Sequence, residues 1–188
     1  NAIINLGVIY DGQGYLNEAK AFFLRATQKD DIESMVNLAL LCRKQGNLEE
    51  EEYWYEKFFN NHHKKIRNKD YKEALFNFGF ICYEKGRLIE AEKYYKEAAE
   101  LGHVLAMTNL AQVYIEQGRL EEARKYCYDA AQLENILAMA NLGVFYYKDN
   151  LLDDAEYWFE KASNLDNIDA TNNLGVIYLR KSSYSTAS

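Results

Sequence analysis

The chain has 188 residues, 48% apolar and 14% aromatic, enough for a continuous core and too apolar for a disordered chain. Its 29 acidic side chains against 22 basic ones leave a net charge of -7. That balance argues against nucleic acid as the main partner, since phosphate backbones need a clustered positive field, and leaves room for a weakly basic peptide.

An Asn followed by a bulky apolar residue and then Gly or Ala occurs six times, at Asn5, Asn37, Asn77, Asn109, Asn141 and Asn173, at intervals of 32, 40, 32, 32 and 32 residues. A fixed period of this size signals stacked supersecondary units that share their apolar faces with their neighbours. Function is therefore expected on a surface rather than in a catalytic pocket.

In the first unit Ile3, Leu6, Ile9 and Tyr10 fall at the spacing of an amphipathic helix, stopped by Gly14, which can take the left-handed conformation of a helix C-cap. Leu16, Ala19, Phe23 and Ala26 then mark a second helix. Its small residues are expected to face the Gly or Ala of the first helix, allowing close backbone approach. The second unit repeats the pattern at Met35, Leu38 and Leu41 and stops at Gly46, but carries Glu51 and Phe58 where other units have Ala. Its next Asn arrives eight residues late. The spacing predicts an insertion at 60–69 that exposes Lys64, Lys65 and Arg67 as a basic projection. The third unit places Leu75, Phe78 and Ile81 before Gly86, and the fourth Met107, Leu110, Val113 and Tyr114 before Gly118. In the fifth, Met139, Leu142, Phe145 and Tyr146 precede Asn150, and Leu152, Ala155, Phe159 and Ala162 follow. Leu174, Ile177 and Tyr178 open a sixth. Asp30, Asp70 and Asp166 stand seven residues before an Asn, where a carboxylate is expected to cap the following helix.

These columns resemble tetratricopeptide repeats and their Sel-one-like relatives. The turn within the fourth unit, Tyr114 to Ala123, has the short tetratricopeptide form, and the turn from Ala98 to Ala106 is similar to the Sel-one-like form without the usual Pro. The resemblance implies an all-α fold, a right-handed α-α superhelix of antiparallel hairpins, with repeats at about 1–29, 30–69, 70–101, 102–133, 134–165 and a partial one at 166–188. An array that opens without Met and stops inside a unit is expected to have been cut from a longer one.

The resemblance further implies that the first helices line a concave surface carrying the Asn column. A primary amide donates and accepts together, so Asn5, Asn37, Asn77, Asn109, Asn141 and Asn173 can pair with an extended peptide backbone. They can equally bond an adjacent helix and stiffen the stack. Val8, Leu40, Phe80, Gln112, Val144 and Val176 form a mostly apolar strip on the same face, and regular spacing favours its burial between adjacent first helices over a floor for a bound peptide. Around it, the variable residues Arg43, Lys44, Tyr83 and Tyr147, with Phe80 and Gln112, complete the candidate groove. Four residues before the Asn column stand Asn1, Glu33, Glu73, Leu105, Leu137 and Asp169, with no Lys, so the resemblance does not extend to the carboxylate-clamp tetratricopeptides.

Cys42, Cys82 and Cys127 lack metal or redox spacing and are expected as buried free thiols in a reducing, cytoplasmic setting. His62, His63 and His103 form no His-x-x-x-His pair, and no phosphate loop or nucleophile elbow occurs. No enzyme activity, cofactor or metal is expected, and no apolar run is long enough to span a membrane. The expectation is a protein or peptide interaction scaffold; a homo-oligomerising structural module is the alternative, and a ligand-sensing regulatory domain the third reading.

Overall fold

A computed structural model describes residues 2–28, 32–62 and 69–185. Among them are eleven helices and no strand: α1 (Ala2–Gly12), α2 (Leu16–Thr27), α3 (Ile32–Lys44), α4 (Leu48–His62), α5 (Lys69–Glu84), α6 (Leu88–Glu100), α7 (Val104–Glu116), α8 (Leu120–Gln132), α9 (Ile136–Lys148), α10 (Leu152–Ser163) and α11 (Ile168–Ser185). The chain forms two compact units, Asn1–Tyr94 and Tyr95–Ser188, divided inside α6. Within the first, α1 packs on α2 and α3 on α4, with α3 also touching α1 and α5; within the second, α7 packs on α8, α9 on α10, and α11 on both α10 and α9.

The helices end in one recurring device. Gly118 takes φ +75°, its N–H bonds back to Ile115 O, and the N–H of Arg119 reaches Tyr114 O at 2.8 Å. These two bonds satisfy carbonyls that the last helical turn leaves without partners. The turns between hairpins use the same closure, as in His103 N to Ala98 O and Asn167 N to Ala162 O. Asn150, Glu134 and Asp166 occupy the left-handed position without being glycine, at φ 62°, 60° and 62°.

That conformation corrects the expected cap at Asp166. The residue after it does the capping: Asn167 Oδ1 accepts from Ala170 N at 2.8 Å, as Asn135 Oδ1 accepts from Ala138 N and His103 Nδ1 from Ala106 N. Asp166 is consumed by the preceding helix's C-cap, so the N-cap falls one position later. The side chains of Asp30 and Asp70 lie outside the described residues.

The contact expected between small residues is also corrected. A Cβ added to Gly143 would lie 2.5 Å from Phe159 Cδ1 and Cε1, and one on Gly7 would lie 2.5 Å from Phe23 Cε1. At Gly7 and Gly143 the missing side chain on the first helix thus admits an aromatic ring, while the alanines of the second helix, Ala19, Ala91, Ala123 and Ala155, are fully buried in their own column.

The late arrival of Asn77 is absorbed partly by helix. α4 runs 15 residues and α5 runs 16, against 12 or 13 in most of the others, and the expected exposure of Lys64, Lys65 and Arg67 lies outside the described residues. Phe58, 2% exposed, fills its unusual place by packing against Phe59 and Tyr71. Phe59 continues the cluster to Phe78 and Tyr94. Burial of such a ring contributes about 1.5 to 3 kcal/mol.

Candidate functional site

Clefts open beside the first helices in both units. In the first unit, Glu33, Val36, Asn37 and Leu40 of α3 meet Glu73 and Asn77 of α5 around a cleft of about 160 Å³. A second, of about 120 Å³, is lined by Arg43, Leu48, Glu51, Phe80, Ile81, Glu84 and Lys85. In the second unit, Val144, Tyr147 and Lys148 of α9, Phe159 of α10, and Asn173 and Val176 of α11 enclose about 190 Å³.

Of the residues expected in a groove, Asn37 and Asn77 thus share one cleft, Arg43 and Phe80 another, and Tyr147 and Asn173 the third. Asn5, Lys44, Tyr83, Asn109, Gln112 and Asn141 line none of the three. Lys44 instead pairs with Asp11 of α1 at 2.6 Å, and Gln112 donates to Glu116 at 3.0 Å.

Within the Asn column, several side chains hold neighbouring helices. Asn77 Oδ1 accepts from Arg43 Nη1 at 2.8 Å, and Asn109 Nδ2 donates to Tyr95 OH at 3.2 Å. Asn141 is a hydrogen-bond neighbour of the Cys127 thiol, and Asn77 lies beside the buried Tyr55 phenol, whose pKa burial pushes up. Asn37 is half-buried and Asn5 exposed.

The apolar strip departs from expectation. Val8 is 50% exposed, Phe80 42% and Val176 47%, Leu40 and Val144 are half-buried, and Gln112 is exposed. Periodicity assigns these residues to one face, but neighbouring first helices do not close over them. Within each unit these side chains stay accessible and, Gln112 apart, apolar.

Glu51 is the residue whose role the sequence pattern left unassigned. It stands in the alanine column of α4, is 0% exposed, and lies 2.7 Å from Arg43 Nη2. Burial raises its pKa above the ordinary glutamate value, with Arg43 opposing the shift. Among the described residues its Oε2 has no hydrogen-bond donor. A charge in a column of small residues was the signal that could have found it.

Cys42, Cys82 and Cys127 are free and buried, and burial lifts their thiols to about 11, 11 and 12. Among the described residues no three His, Cys, Asp or Glu side chains gather as metal ligands, and no helix is long and apolar enough to cross a membrane.

Three tetratricopeptide repeat family models match residues 1–28, 83–129 and 135–164, together just over half of the chain. No curated protein matches the sequence. Among solved structures, a tetratricopeptide repeat protein from Parabacteroides merdae is similar at a TM-score of 0.70 and 18% identity, over 99% of this chain and 75% of that one. A Sel1 repeat protein from Oxalobacter formigenes is similar at 0.67 and 24% identity, over 94% and 77%. PilF of Pseudomonas aeruginosa is similar at 0.68 and 21% identity, over 87% and 74%. With the hairpins, their shared turn closure and the three family matches together, the chain belongs to the tetratricopeptide repeat proteins, whose fold serves in general as a scaffold for protein interactions.

Proposed function

We propose that this chain is a non-enzymatic scaffold that holds an extended, net-basic segment of a partner protein along the first-helix face. The observation that carries the reading is the cleft shared by Asn37 and Asn77, in which each amide has a carboxylate one helical turn before it, Glu33 and Glu73. Amides on this face can pair with peptide N–H and C=O groups whatever the sequence, and the two carboxylates favour Lys or Arg side chains alongside. Val36, Leu40 and the exposed Phe80 supply apolar contact. This charge pattern is opposite to a clamp for a C-terminal carboxylate.

Each amide bond to a ligand backbone contributes about 0.5 to 1.5 kcal/mol net, so several are needed to offset the ordering of a flexible segment. The test uses a partner recovered by pull-down and calorimetry with Asn37→Ala and Glu33→Gln variants, neither of which removes a hydrogen bond seen within the protein. Affinity is expected to fall while thermal melting stays near the parent. Unchanged affinity sinks the reading. The same exposed strip could instead meet a second copy, and light scattering that detects a concentration-dependent oligomer abolished by Phe80→Ser would favour self-assembly over a peptide ligand.

A further inference from the structure

We infer that the cleft lined by Arg43, Leu48, Glu51, Phe80, Ile81, Glu84 and Lys85 is a subsite for one lysine side chain of that partner segment. The inference rests on the interaction reading above and adds to it the identity of an anchoring residue.

The floor of the cleft is chemically incomplete. Glu51 is fully buried there, and although Arg43 Nη2 lies 2.7 Å from Oε1, it is out of line for a hydrogen bond. Oε2 has no donor among the described residues. Leaving a carboxylate so poorly paired costs free energy that a donor seated in the cleft would recover. The upward pKa of Glu51 expresses the same deficit.

The walls and mouth select the donor. Leu48, Phe80 and Ile81 are apolar, suited to a methylene stem, and Glu84 is exposed at the mouth with no ion pair among the described residues. The cations are already committed: Lys85 pairs with Glu52, and Arg43 is shared between Glu51 and Asn77. A ligand therefore meets two under-paired carboxylates and no spare cation. The volume of about 120 Å³ suits one side chain rather than a cofactor. Lysine joins an apolar stem to a compact ammonium with three donors, matching both ends of the cleft. The second repeat alone carries a carboxylate at this place, the corresponding second-helix positions of the other repeats being Ala19, Ala91, Ala123 and Ala155.

The full chain, labelled with ¹⁵N, is titrated with n-butylammonium chloride, which is a lysine side chain without its backbone, and in parallel with n-butanol. Saturable shifts are expected at the amides of Arg43, Phe80 and Ile81, with n-butanol weaker by about tenfold, the value of a charge-assisted bond over a neutral one. Glu51→Ala should weaken n-butylammonium binding by about tenfold or more. Alanine is the residue of the other units at this place, so the variant should keep the fold, and Glu51→Gln, which keeps the size, checks the result independently. No saturable shift, equal binding of the alcohol, or undiminished binding in both variants overturns the inference. Since the probe needs no partner, a failed titration alongside an Asn37-sensitive partner would reject the lysine subsite and leave the scaffold reading intact.

Discussion

Arg43 Nη2 of α3 lies 2.7 Å from Glu51 Oε1 of α4, and the same guanidinium donates through Nη1 to Asn77 of α5 at 2.8 Å. One side chain therefore joins three successive helices of the first unit. The junction is asymmetric: Glu51 is fully buried, while the Arg43 side chain is 35% exposed. Removing the arginine strands a charge, whereas removing the glutamate lets the arginine turn to water.

From this asymmetry, Arg43→Ala is expected to destabilise the chain by about 3 kcal/mol near neutral pH, the usual cost of leaving one member of a buried pair uncompensated. Glu51→Ala should lie within about 1 kcal/mol of the parent, because an apolar replacement of a buried charge is often neutral. The double variant should recover most of the Arg43→Ala loss. Urea unfolding of the four proteins closes the cycle, and additive losses would show that the pair is not coupled.

Glu51 also sets a pH dependence. Its folded pKa is raised above its unfolded value, so between the two the folded state holds more protons and stability falls as pH rises. Acidification through that window should recover stability. Glu50 acts in the opposite sense: its hydrogen bond from Lys20 lowers its pKa, so its contribution is lost as pH falls through the folded value. The difference between parent and Glu51→Gln, measured by urea unfolding from the ordinary carboxylate range upward, isolates Glu51. That difference should shrink on acidification, and a flat difference would remove the proposed burial penalty.

The hairpins were legible because their signals are local: apolar spacing at 3.6 residues per turn and a glycine at four of the five hairpin turns, with Asn150 at the fifth. The cap at Asn167 was not, because Asp166 and Asn167 are both good capping types and only the backbone, at φ 62° for Asp166, decides between them. The exposure of Val8, Phe80 and Val176 escaped periodicity for a different reason. Spacing assigns a face but not how closely the next helix approaches it. Glu51 was visible as a departure from its column and Arg43 as one of the variable rim residues, yet their pairing depends on how α3 turns into α4, and the link to Asn77 spans 34 residues.

Glu134 offers a test of the shared turn. It holds φ 60°, where an L-residue other than Gly, Asn or Asp is strained by about 1 to 2 kcal/mol. Glycine relieves that strain but widens the unfolded ensemble, so Glu134→Gly should stabilise by about 0.5 to 1 kcal/mol, raising Tm by roughly 2 to 4 °C per kcal/mol. Asp166→Gly should gain less, since Asp tolerates this region better. A lowered Tm for Glu134→Gly would contradict the strain.

The three thiols should be inert in the folded chain. Burial holds them at about 11 to 12, leaving almost no thiolate near neutral pH. A disulfide-exchange reagent at pH 7.5 is expected to react only at the rate of unfolding, then with all three groups in denaturant. Rapid reaction of any one under native conditions would place it at the surface.

Gly143 and Phe159 test the packing rule most directly. A methyl group on Gly143 would come within 2.5 Å of two ring carbons, so Gly143→Ala forces the Phe159 ring or the α9–α10 spacing to move, at about 1 to 3 kcal/mol. The fourth repeat supplies the compensating change. There Ala111 and Cys127 stand in the columns of Gly143 and Phe159, a larger first-helix residue opposite a smaller second-helix one, and both are fully buried. Phe159→Cys alone leaves a cavity and should destabilise by about 3 kcal/mol or more. Combined with Gly143→Ala, its loss should be smaller than the sum, because the methyl group occupies space the ring has vacated. Thermal and urea unfolding of the two single variants and the pair measure that coupling. Strict additivity would mean that the two columns vary independently and that the glycine is not there to admit the ring.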